Sequence, residues 1–322
     1  MRATRSRPVG VATARVVVGE LVATMGLPPI PEARPGTDLW IRRLQGSPLP
    51  DPAPLLRAAD GWVHPGPSTG WPTFVDMVTA LGAPPTRPGV RFPDLSSLNA
   101  ETIDAEAGAW LLPAVAVRAR PAVAPRVPVP PAAVAVRDAH VVVLGTAWAT
   151  PLIGLLLARL GARVQRVEHP GRPDPFPLHD RLAQGQTSLA LDLGEPQDRD
   201  RFEDLLASAD LLVDGHPPRV LANAGLSDDR LARDRSGLAV LRVAAFADGD
   251  RPGYGPAAEC RGGWAARHDP PRLGRSSVAD PVAGLLGALA AIELLDQGRG
   301  ARGRVSLEGA VGHLLAHESA RG

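Results

Sequence analysis

The sequence is short of several features that mark particular classes of protein. Its 322 residues include one cysteine, Cys260, so no internal disulfide can form and a reducing cytoplasm is expected. No run of about 18 apolar residues is present, which argues against a membrane-spanning segment. The basic start of the chain is followed by an apolar stretch that Gly19 and Glu20 interrupt, a pattern that does not favour a signal peptide. We therefore expect a cytoplasmic protein.

The chain also has no lysine and almost no net charge. All 35 basic residues other than histidine are arginine, which is typical of GC-rich codon usage in a chain with 34 glycines and 35 prolines. The formal net charge of +1 offers no electrostatic basis for binding nucleic acid or an acidic membrane surface. With 44% hydrophobic residues, the composition is that of a globular protein of one large or two smaller domains.

A proline-rich stretch at residues 119–134 divides the chain. Repeated proline removes backbone donors and favours extended geometry, so this stretch is expected to be a linker, with a packed edge strand as the alternative. Residues 1–118 are expected to form a smaller α+β domain without a catalytic constellation. Helices are predicted there over Ala12–Met25, Trp71–Leu81 and Ala100–Val117, with a turn into a short strand at residues 60–63.

Residues 135–322 alternate between short apolar runs and helical patterns. Such alternation predicts an α/β domain built on a doubly wound, mostly parallel Rossmann-like sheet. The expected strands are His140–Gly145, Arg163–Glu168, Ser188–Leu193, Asp210–Asp214, Leu238–Ala244 and Gly303–Leu307. The expected helices include Pro151–Leu160, Gln197–Ser208, Asp228–Asp234 and Asp280–Leu295. Ligands of such sheets bind beyond the carboxyl ends of the strands, so the site is expected there.

Several short motifs favour structural interpretations. The turn at residues 145–151 lacks the three glycines of a dinucleotide fingerprint, and Trp148 would block a pyrophosphate, which disfavours NAD and flavin enzymes. His313 and His317 have the spacing of two zinc ligands on a helix, but solvated histidines are the favoured interpretation and no metal is predicted. No Gly-x-Ser-x-Gly motif supports a serine hydrolase. Cys260 is expected to be inert packing.

Asp280 is the most informative residue of the chain. It precedes Pro281, and proline is favoured at the first helical position, so Asp280 can be a helix N-cap. The same side chain can be a nucleophile, because the positive end of a helix dipole would keep it ionised. An ionised carboxylate can attack a thioester carbonyl, and free N–H groups of the first turn would stabilise the oxyanion. The two interpretations are compatible.

Six stretches between Ala133 and His317 form a recognisable series. They are Val141–Pro151, Leu160–Glu168, Gln186–Leu193, Ala209–Pro218, Ala279–Gly284 and Ala301–Leu307. In these stretches the chain resembles the family III CoA-transferases, a group that also contains alpha-methylacyl-CoA racemases, and in particular divergent members of actinobacterial type. Each match is weak alone, but six in the right order are specific.

The resemblance implies roles for individual residues. Asp280 would be the nucleophile, and Tyr254 stands where the racemases have a histidine as second acid or base. A phenol, with a reference pKa of about 10, is a poor base near neutral pH, which disfavours racemisation. The positions implied to bind CoA are Trp148, Ala149, His169, Gln186, Leu191, Arg219 and Asn223.

Some positions depart from the pattern of the family. His169, Gln186, Gly215 and Asn223 stand at CoA-binding positions where the family has characteristic basic or amide side chains. An acid often follows the tyrosine or histidine position, and here that residue is Gly255. The segment vaguely similar to the family's small domain also comes first in this chain, whereas it usually follows the nucleotide-binding half.

The expected function is transfer of CoA between an acyl-CoA thioester and a carboxylic acid through an aspartyl anhydride. Coenzyme A would be a substrate, with no covalently bound cofactor, and the implied partners are an acyl-CoA, a small carboxylic acid and a second copy of the chain in a homodimer. Two alternatives stay open: a non-catalytic binding or scaffold member of the fold, and an acyl-CoA racemase or isomerase.

Overall fold

The computed structural model describes most of the chain beyond residue 53. The described residues are 54–86, 92–119, 136–145, 148–172, 182–248, 251–274, 277–298 and 300–319. The helix expected over Ala12–Met25 and the proline-rich stretch beyond residue 119 lie outside them. Within the described ranges, the elements form a small N-terminal unit and a larger α/β unit.

The small unit combines a three-stranded antiparallel sheet with two helices. Its strands are β1 (Leu56–Arg57), β2 (Trp62–His64) and β3 (Val115–Ala116), in the order β1-β2-β3. Its helices are α1 (Trp71–Ala80) and α2 (Ala100–Ala109). The expected smaller α+β architecture is therefore confirmed.

Helix α2 is shorter than the sequence pattern indicated. Asn99 caps it by accepting from the N–H groups of Glu101 and Thr102. The prediction of one helix from residue 100 to 117 is wrong, because Leu111 adopts a left-handed conformation with φ of 55°. That turn ends the helix, and the chain returns as β3 to pair with β2.

The larger unit is built on six parallel strands. They are β4 (His140–Leu144), β5 (Arg163–Glu168), β6 (Gln186–Ala190), β7 (Leu211–Asp214), β8 (Ala239–Ala244) and β9 (Arg302–Ser306). Their order in the sheet is β6-β5-β4-β7-β8-β9, and every neighbouring pair is parallel. The first strand therefore lies at the centre and the order reverses between β4 and β7. This is the doubly wound topology that the sequence predicted.

Helices cover both faces of this sheet. They are α3 (Ala149–Arg159), α4 (Pro196–Ala207), α5 (Pro218–Asn223), α6 (Asp228–Asp234), α7 (Gly255–Arg261), α8 (Ala279–Gln297) and α9 (Leu307–Ser319). Val141 and Val143 face the core formed with α3, α8 and α9, whereas Val142 and Leu144 face the core formed with α4, α5 and α6. Because both faces are buried, β4 has a continuous apolar sequence rather than an alternating one.

Close packing between α3 and α8 fixes the position of the first turn of α8. A Cβ atom on Gly284 would lie 2.7 Å from Leu152, and one on Gly287 would lie 2.4 Å from Ile153. Leu152 and Ile153 are fully buried, and burial of such a side chain contributes about 1.5–3 kcal/mol. A larger residue at either glycine would separate the two helices and displace the residues at the start of α8.

The two units contact each other. Val115 of β3 packs in one apolar cluster with Phe246 and Cys260, and the backbone N–H of Arg118 donates to the carbonyl of Cys260 at 3.0 Å. Arg251 donates to the carbonyl of Leu112 at 2.9 Å and pairs with Asp104 of α2. The small unit therefore packs beside α7. The domain boundary at residues 119–134 stays a prediction.

Among the described residues, no helix has both the length and the apolar character that crossing a membrane requires.

Candidate active site

A cavity of about 260 Å³ opens where the strand order reverses. It lies at the carboxyl end of the sheet, between the segments that follow β4 and β7. The end of β8, the loop at residues 251–254 and the first turn of α8 complete its wall. This is the position at which an open α/β sheet binds its ligands. The cavity therefore lies at the edge of the sheet where the sequence predicted a site.

Asp280 lines this cavity from the first turn of α8. Helix α8 begins at Ala279 and its N-cap is Val278, so Asp280 is the second helical residue. The interpretation of Asp280 as an N-cap is therefore wrong. The N–H groups of Val278 and Ala279 are not free to face the site, because they donate to Glu259 Oε1 at 2.6 and 3.3 Å.

Glu259 was not anticipated as a site residue. It lies on α7 and is only 2% exposed, and its Oε1 atom accepts from the Ser277 hydroxyl at 2.7 Å as well as from the two N–H groups of α8. Burial raises the pKa of Glu259 to about 7, with a smaller contribution from the negative charge of Asp280. The three hydrogen bonds lower the pKa but do not offset burial. An acid that follows three apolar residues in a short helix was the signal for this residue.

Burial also dominates the electrostatics of Asp280. It raises the pKa of Asp280 from 3.8 to about 6, against the opposing effect of hydrogen bonds from the Ser277 hydroxyl and the Asp280 backbone. The helix end was expected to hold the pKa down, and the direction of that expectation is wrong because desolvation is the larger effect. At neutral pH the carboxylate is still mostly ionised, and it is more basic than an exposed aspartate.

Gly255 leaves the space that the Asp280 carboxyl group occupies. A Cβ atom on Gly255 would lie 1.9 Å from Asp280 Oδ2 and 2.0 Å from Ser277 Oγ. Any side chain at this position would therefore displace one of these groups. The departure from the family pattern at Gly255 thus has a direct structural consequence, since the carboxyl group of Asp280 fills the volume that a side chain there would need.

Three further predicted residues lie on the same cavity. Trp148 and Ala149 contribute the N-terminal end of α3, and Tyr254 contributes the residue before α7. Tyr254 is 53% exposed, so its ring is available to solvent and to a ligand. The structure therefore brings Asp280, Tyr254, Trp148 and Ala149 together, as the resemblance implied.

The other five predicted CoA-binding residues do not line this cavity. His169 follows β5 and lies 3.5 Å from Asp192, and Leu191 is buried in the apolar core beneath α4. Gln186 begins β6 and donates to the carbonyls of Pro151 and Leu182. Arg219 and Asn223 lie on the short helix α5. Whether these residues contact CoA stays a prediction.

Three arginines on the cavity wall were missed at the level of sequence. Arg242 and Arg304 are neighbours in register on β8 and β9. Arg242 pairs with Asp214 and Asp228, while Arg304 donates to the carbonyl of Phe246 at 3.5 Å. The third, Arg251, pairs with Asp104 of the small unit. Arginines near the carboxyl ends of two predicted strands were the sequence feature that could have identified Arg242 and Arg304 as site residues.

The two histidines with zinc-ligand spacing and the single cysteine can now be placed in the fold. His313 and His317 both lie on α9, and within the described ranges no group of three or more His, Cys, Asp or Glu side chains is placed to hold a metal ion. Cys260 is buried, and burial raises the pKa of its thiol. The expectation that Cys260 is packed inside the fold is confirmed.

The fold and the cavity together define an α/β protein with an acid, Asp280, on the wall of a cavity at the switch point of a doubly wound parallel sheet, and a buried acid, Glu259, beneath the same turn. The family model for CoA-transferase family III matches residues 136–320, more than half of the chain. The chain therefore belongs to CoA-transferase family III. The family resemblance that the six sequence stretches indicated is confirmed.

Similar proteins named for CoA transfer match about half of the chain. Succinyl-CoA–D-citramalate CoA-transferase of Chloroflexus aurantiacus is 31% identical over 181 residues, which cover 50% of this chain and 45% of the relative. Formyl-CoA:oxalate CoA-transferase of Rhodopseudomonas palustris is 29% identical over 184 residues, which cover 50% of this chain and 43% of the relative. The chain thus spans less than half the length of these relatives.

Solved structures share the fold at lower sequence identity. A hypothetical protein from Mycobacterium tuberculosis is 22% identical with a TM-score of 0.52, and the match covers 60% of this chain and 58% of that one. A CAIB/BAIF family protein from Brucella suis is 22% identical with a TM-score of 0.51, covering 58% of this chain and 56% of that one. Both likenesses concern the fold alone.

Proposed function

We propose that this protein is a CoA-transferase that moves CoA between an acyl-CoA thioester and a small carboxylic acid. The observation that carries the proposal is the carboxyl group of Asp280, which lines the cavity at the switch point of the sheet. Membership of CoA-transferase family III supports it, as do relatives named for succinyl-CoA and formyl-CoA transfer. Arg304 adds positive charge to the cavity wall, whereas Arg242 and Arg251 are already paired with aspartates.

The proposed reaction uses Asp280 as a covalent nucleophile. A carboxylate oxygen of Asp280 attacks the thioester carbonyl carbon, the carbon–sulfur bond breaks, and CoA leaves as the thiolate from an acyl-aspartyl anhydride. The thiolate attacks the aspartyl carbonyl, which releases the donor acid and leaves an aspartyl-CoA thioester. The acceptor carboxylate attacks this thioester to form a second anhydride and free thiolate. Attack of the thiolate on the acceptor carbonyl then gives the new acyl-CoA and restores Asp280.

The surroundings of Asp280 suit this role. With a pKa of about 6, the side chain is ionised at neutral pH and more nucleophilic than an exposed aspartate. Its half-buried position reduces the hydration that an attacking carboxylate must lose. Tyr254 lies on the same wall, but the phenol is poorly suited to abstract a proton near neutral pH, which disfavours the racemase alternative.

Asp280→Asn tests the nucleophile. Asparagine has nearly the same size but cannot form an anhydride, so we expect turnover to fall by several orders of magnitude while the fold survives. The assay uses succinyl-CoA with citramalate and formyl-CoA with oxalate, and hydroxylamine trapping followed by mass spectrometry should label Asp280 in the unchanged chain. Asp296→Asn, at the exposed far end of α8, is the matched control. Normal turnover in Asp280→Asn would exclude the mechanism.

A non-catalytic binding subunit is the second candidate function. It is favoured by the placement of His169, Gln186 and Asn223 away from the cavity, since fewer of the implied CoA contacts then converge on it. Thermal unfolding with CoA, acyl-CoA and no ligand separates the candidates. At 100 times its dissociation constant, CoA should stabilise the fold by about 2.7 kcal/mol if it binds. Binding without turnover on any tested acyl-CoA would favour the second candidate.

The homodimer implied by the family resemblance is part of the proposal. Light scattering coupled to size-exclusion chromatography measures it directly, and a monomer of 33.6 kDa at micromolar concentration would contradict it.

A further inference from the structure

Hydrogen bonds through Ser277 connect Glu259 on α7 with Asp280 on the cavity wall. Glu259 Oε1 accepts from the Ser277 hydroxyl at 2.7 Å and from the Val278 N–H at 2.6 Å. Ser277 also hydrogen-bonds to Asp280. Since Val278 is the N-cap of α8, Glu259 holds the turn that carries Asp280 as well as the serine beside it.

Ser277 can hydrogen-bond to both acids at once only when one of the two acids is protonated. A hydroxyl group has one proton to donate, so it cannot donate to two carboxylates at the same time. If one acid carries a proton, it can donate to Ser277 Oγ while the serine donates to the other acid. The chain Glu259–Ser277–Asp280 is therefore complete with a single shared proton. The negative charge of Asp280 also disfavours ionisation of the buried Glu259, so the two acids resist being ionised together.

The other charged groups near α7 do not neutralise Glu259. Arg261, two residues along the same helix, donates to Asp248 at 3.1 Å and lies 3.6 Å from Glu308 of α9. Cys260 is buried beside Glu259, and burial raises the pKa of its thiol, so it stays uncharged at neutral pH. Within the described residues, Glu259 is thus balanced by N–H and O–H donors at the start of α8 rather than by an arginine.

We propose that Glu259 is a positioning residue for Asp280, which it holds at the cavity wall through Ser277 and the first turn of α8 and with which it shares one proton. The role of Glu259 in catalysis rests on the proposed function of Asp280. The hydrogen bonds that link Glu259, Ser277 and Asp280 are independent of that function, because they exist whether or not Asp280 attacks a thioester. The consequence is that the charge of Asp280 depends on the protonation of Glu259.

Three substitutions separate positioning from a general structural role. Glu259→Gln keeps an oxygen that accepts from α8 but removes the titration, Glu259→Ala removes both, and Ser277→Ala breaks the link between the acids. Glu195→Gln, at an exposed position before α4, is the matched control. Circular dichroism and thermal unfolding of the full chain establish that each variant is folded.

The first measurement needs no acyl transfer. In protein labelled with carbon-13 at the aspartate carboxyl groups, the signal absent from Asp280→Asn belongs to Asp280. We expect this signal to titrate in two steps in the unchanged chain and in Glu195→Gln, and in one step in Glu259→Gln, which has no second titrating acid beside Asp280. A single step in the unchanged chain, or two steps in Glu259→Gln, would overturn the proposal.

The second measurement follows turnover with succinyl-CoA against pH. We expect the pH profile of kcat to show two transitions in the unchanged chain and to lose the upper one in Glu259→Gln. We expect Glu259→Ala to lower kcat about 100-fold with little change in KM, because a small displacement of a reacting group has an effect of that size. Wild-type kcat in folded Glu259→Ala would refute positioning. If Glu259→Ala does not fold, the kcat values of Glu259→Gln and Ser277→Ala test the positioning role instead. Full activity of Asp280→Asn would instead exclude the proposed function while leaving the carbon-13 result intact.

Discussion

Two regions at the carboxyl edge of the large sheet are built in different ways. On the side of α7 and α8, Glu259, Ser277 and Gly255 enclose the carboxyl group of Asp280, so that each group fixes the position of the next. Along the carboxyl ends of β5 and β6, outside the cavity that Asp280 lines, His169 lies 3.5 Å from Asp192 and Leu191 is buried in an apolar core. We call the first set, Asp280, Ser277, Glu259 and Gly255, the acid wall, and the second region the outer strands.

The difference indicates where substitutions should matter. In the acid wall, buried polar groups depend on one another, so removal of one leaves the others with unsatisfied hydrogen bonds or repelling charges. On the outer strands, exposed side chains contact water and make weak ion pairs, so removal of one changes little. The comparison therefore predicts that substitutions in the acid wall have much larger effects than substitutions on the outer strands.

The largest effect is expected on the pH dependence of stability. The folded chain holds a proton on Glu259 with a pKa of about 7, compared with an ordinary value of 4.5, so it binds that proton more tightly than the unfolded chain does. The free energy of unfolding should therefore fall as the pH rises from about 4.5 through about 7, by about 3 kcal/mol from this residue. Glu259→Gln should remove that part of the fall.

Urea unfolding at several pH values between 4 and 8 measures this effect. Asp280, with its own raised pKa, should leave a smaller fall of the same sign in the Gln variant. Equal pH dependence in the two proteins would show that Glu259 is solvated in solution, and the acid wall would then be no different in kind from the outer strands.

A somewhat smaller effect is expected for Gly255→Ala. The added Cβ would lie 1.9 Å from Asp280 Oδ2, so the carboxyl group must move, and we expect turnover to fall about 100-fold with the fold intact. Gly237→Ala is the control, because no atom lies within 4 Å of a Cβ placed there. Steady-state kinetics on the two variants measures the difference. Equal turnover would mean that the wall adapts without loss, contrary to the packing described above.

The smallest effect is expected for His169→Ala on the outer strands. A single exposed contact contributes up to about 1 kcal/mol, so the dissociation constant of CoA should change less than about fivefold. Isothermal titration calorimetry of CoA against both proteins measures it. A weakening of tenfold or more would place a principal CoA contact at the end of β5 and remove the contrast between the two regions.

The prediction of the fold from sequence succeeded where the pattern was long and local. The strand His140–Leu144 and the helix Asp228–Asp234 follow from apolar runs and capping signals that a few neighbouring residues specify. The prediction failed at Ala100–Val117, where a turn at Leu111 interrupts a pattern that still looks helical. It also missed α5 and α7, which at six and seven residues are too short to show a helical period.

The sequence by itself determined the sheet, the family and the identity of Asp280 as the residue of interest, because each of these depends on residues close together in the chain or on motifs in a fixed order. Only the tertiary structure decided the surroundings of that residue. Glu259 lies 21 positions before Asp280, and only the packing of α7 against α8 brings their carboxyl groups to one serine. The same packing buries Glu259 and half-buries Asp280, and desolvation outweighs the helix dipole that the local sequence implied. Burial and contact between distant residues set these properties, and neither is encoded in a local pattern.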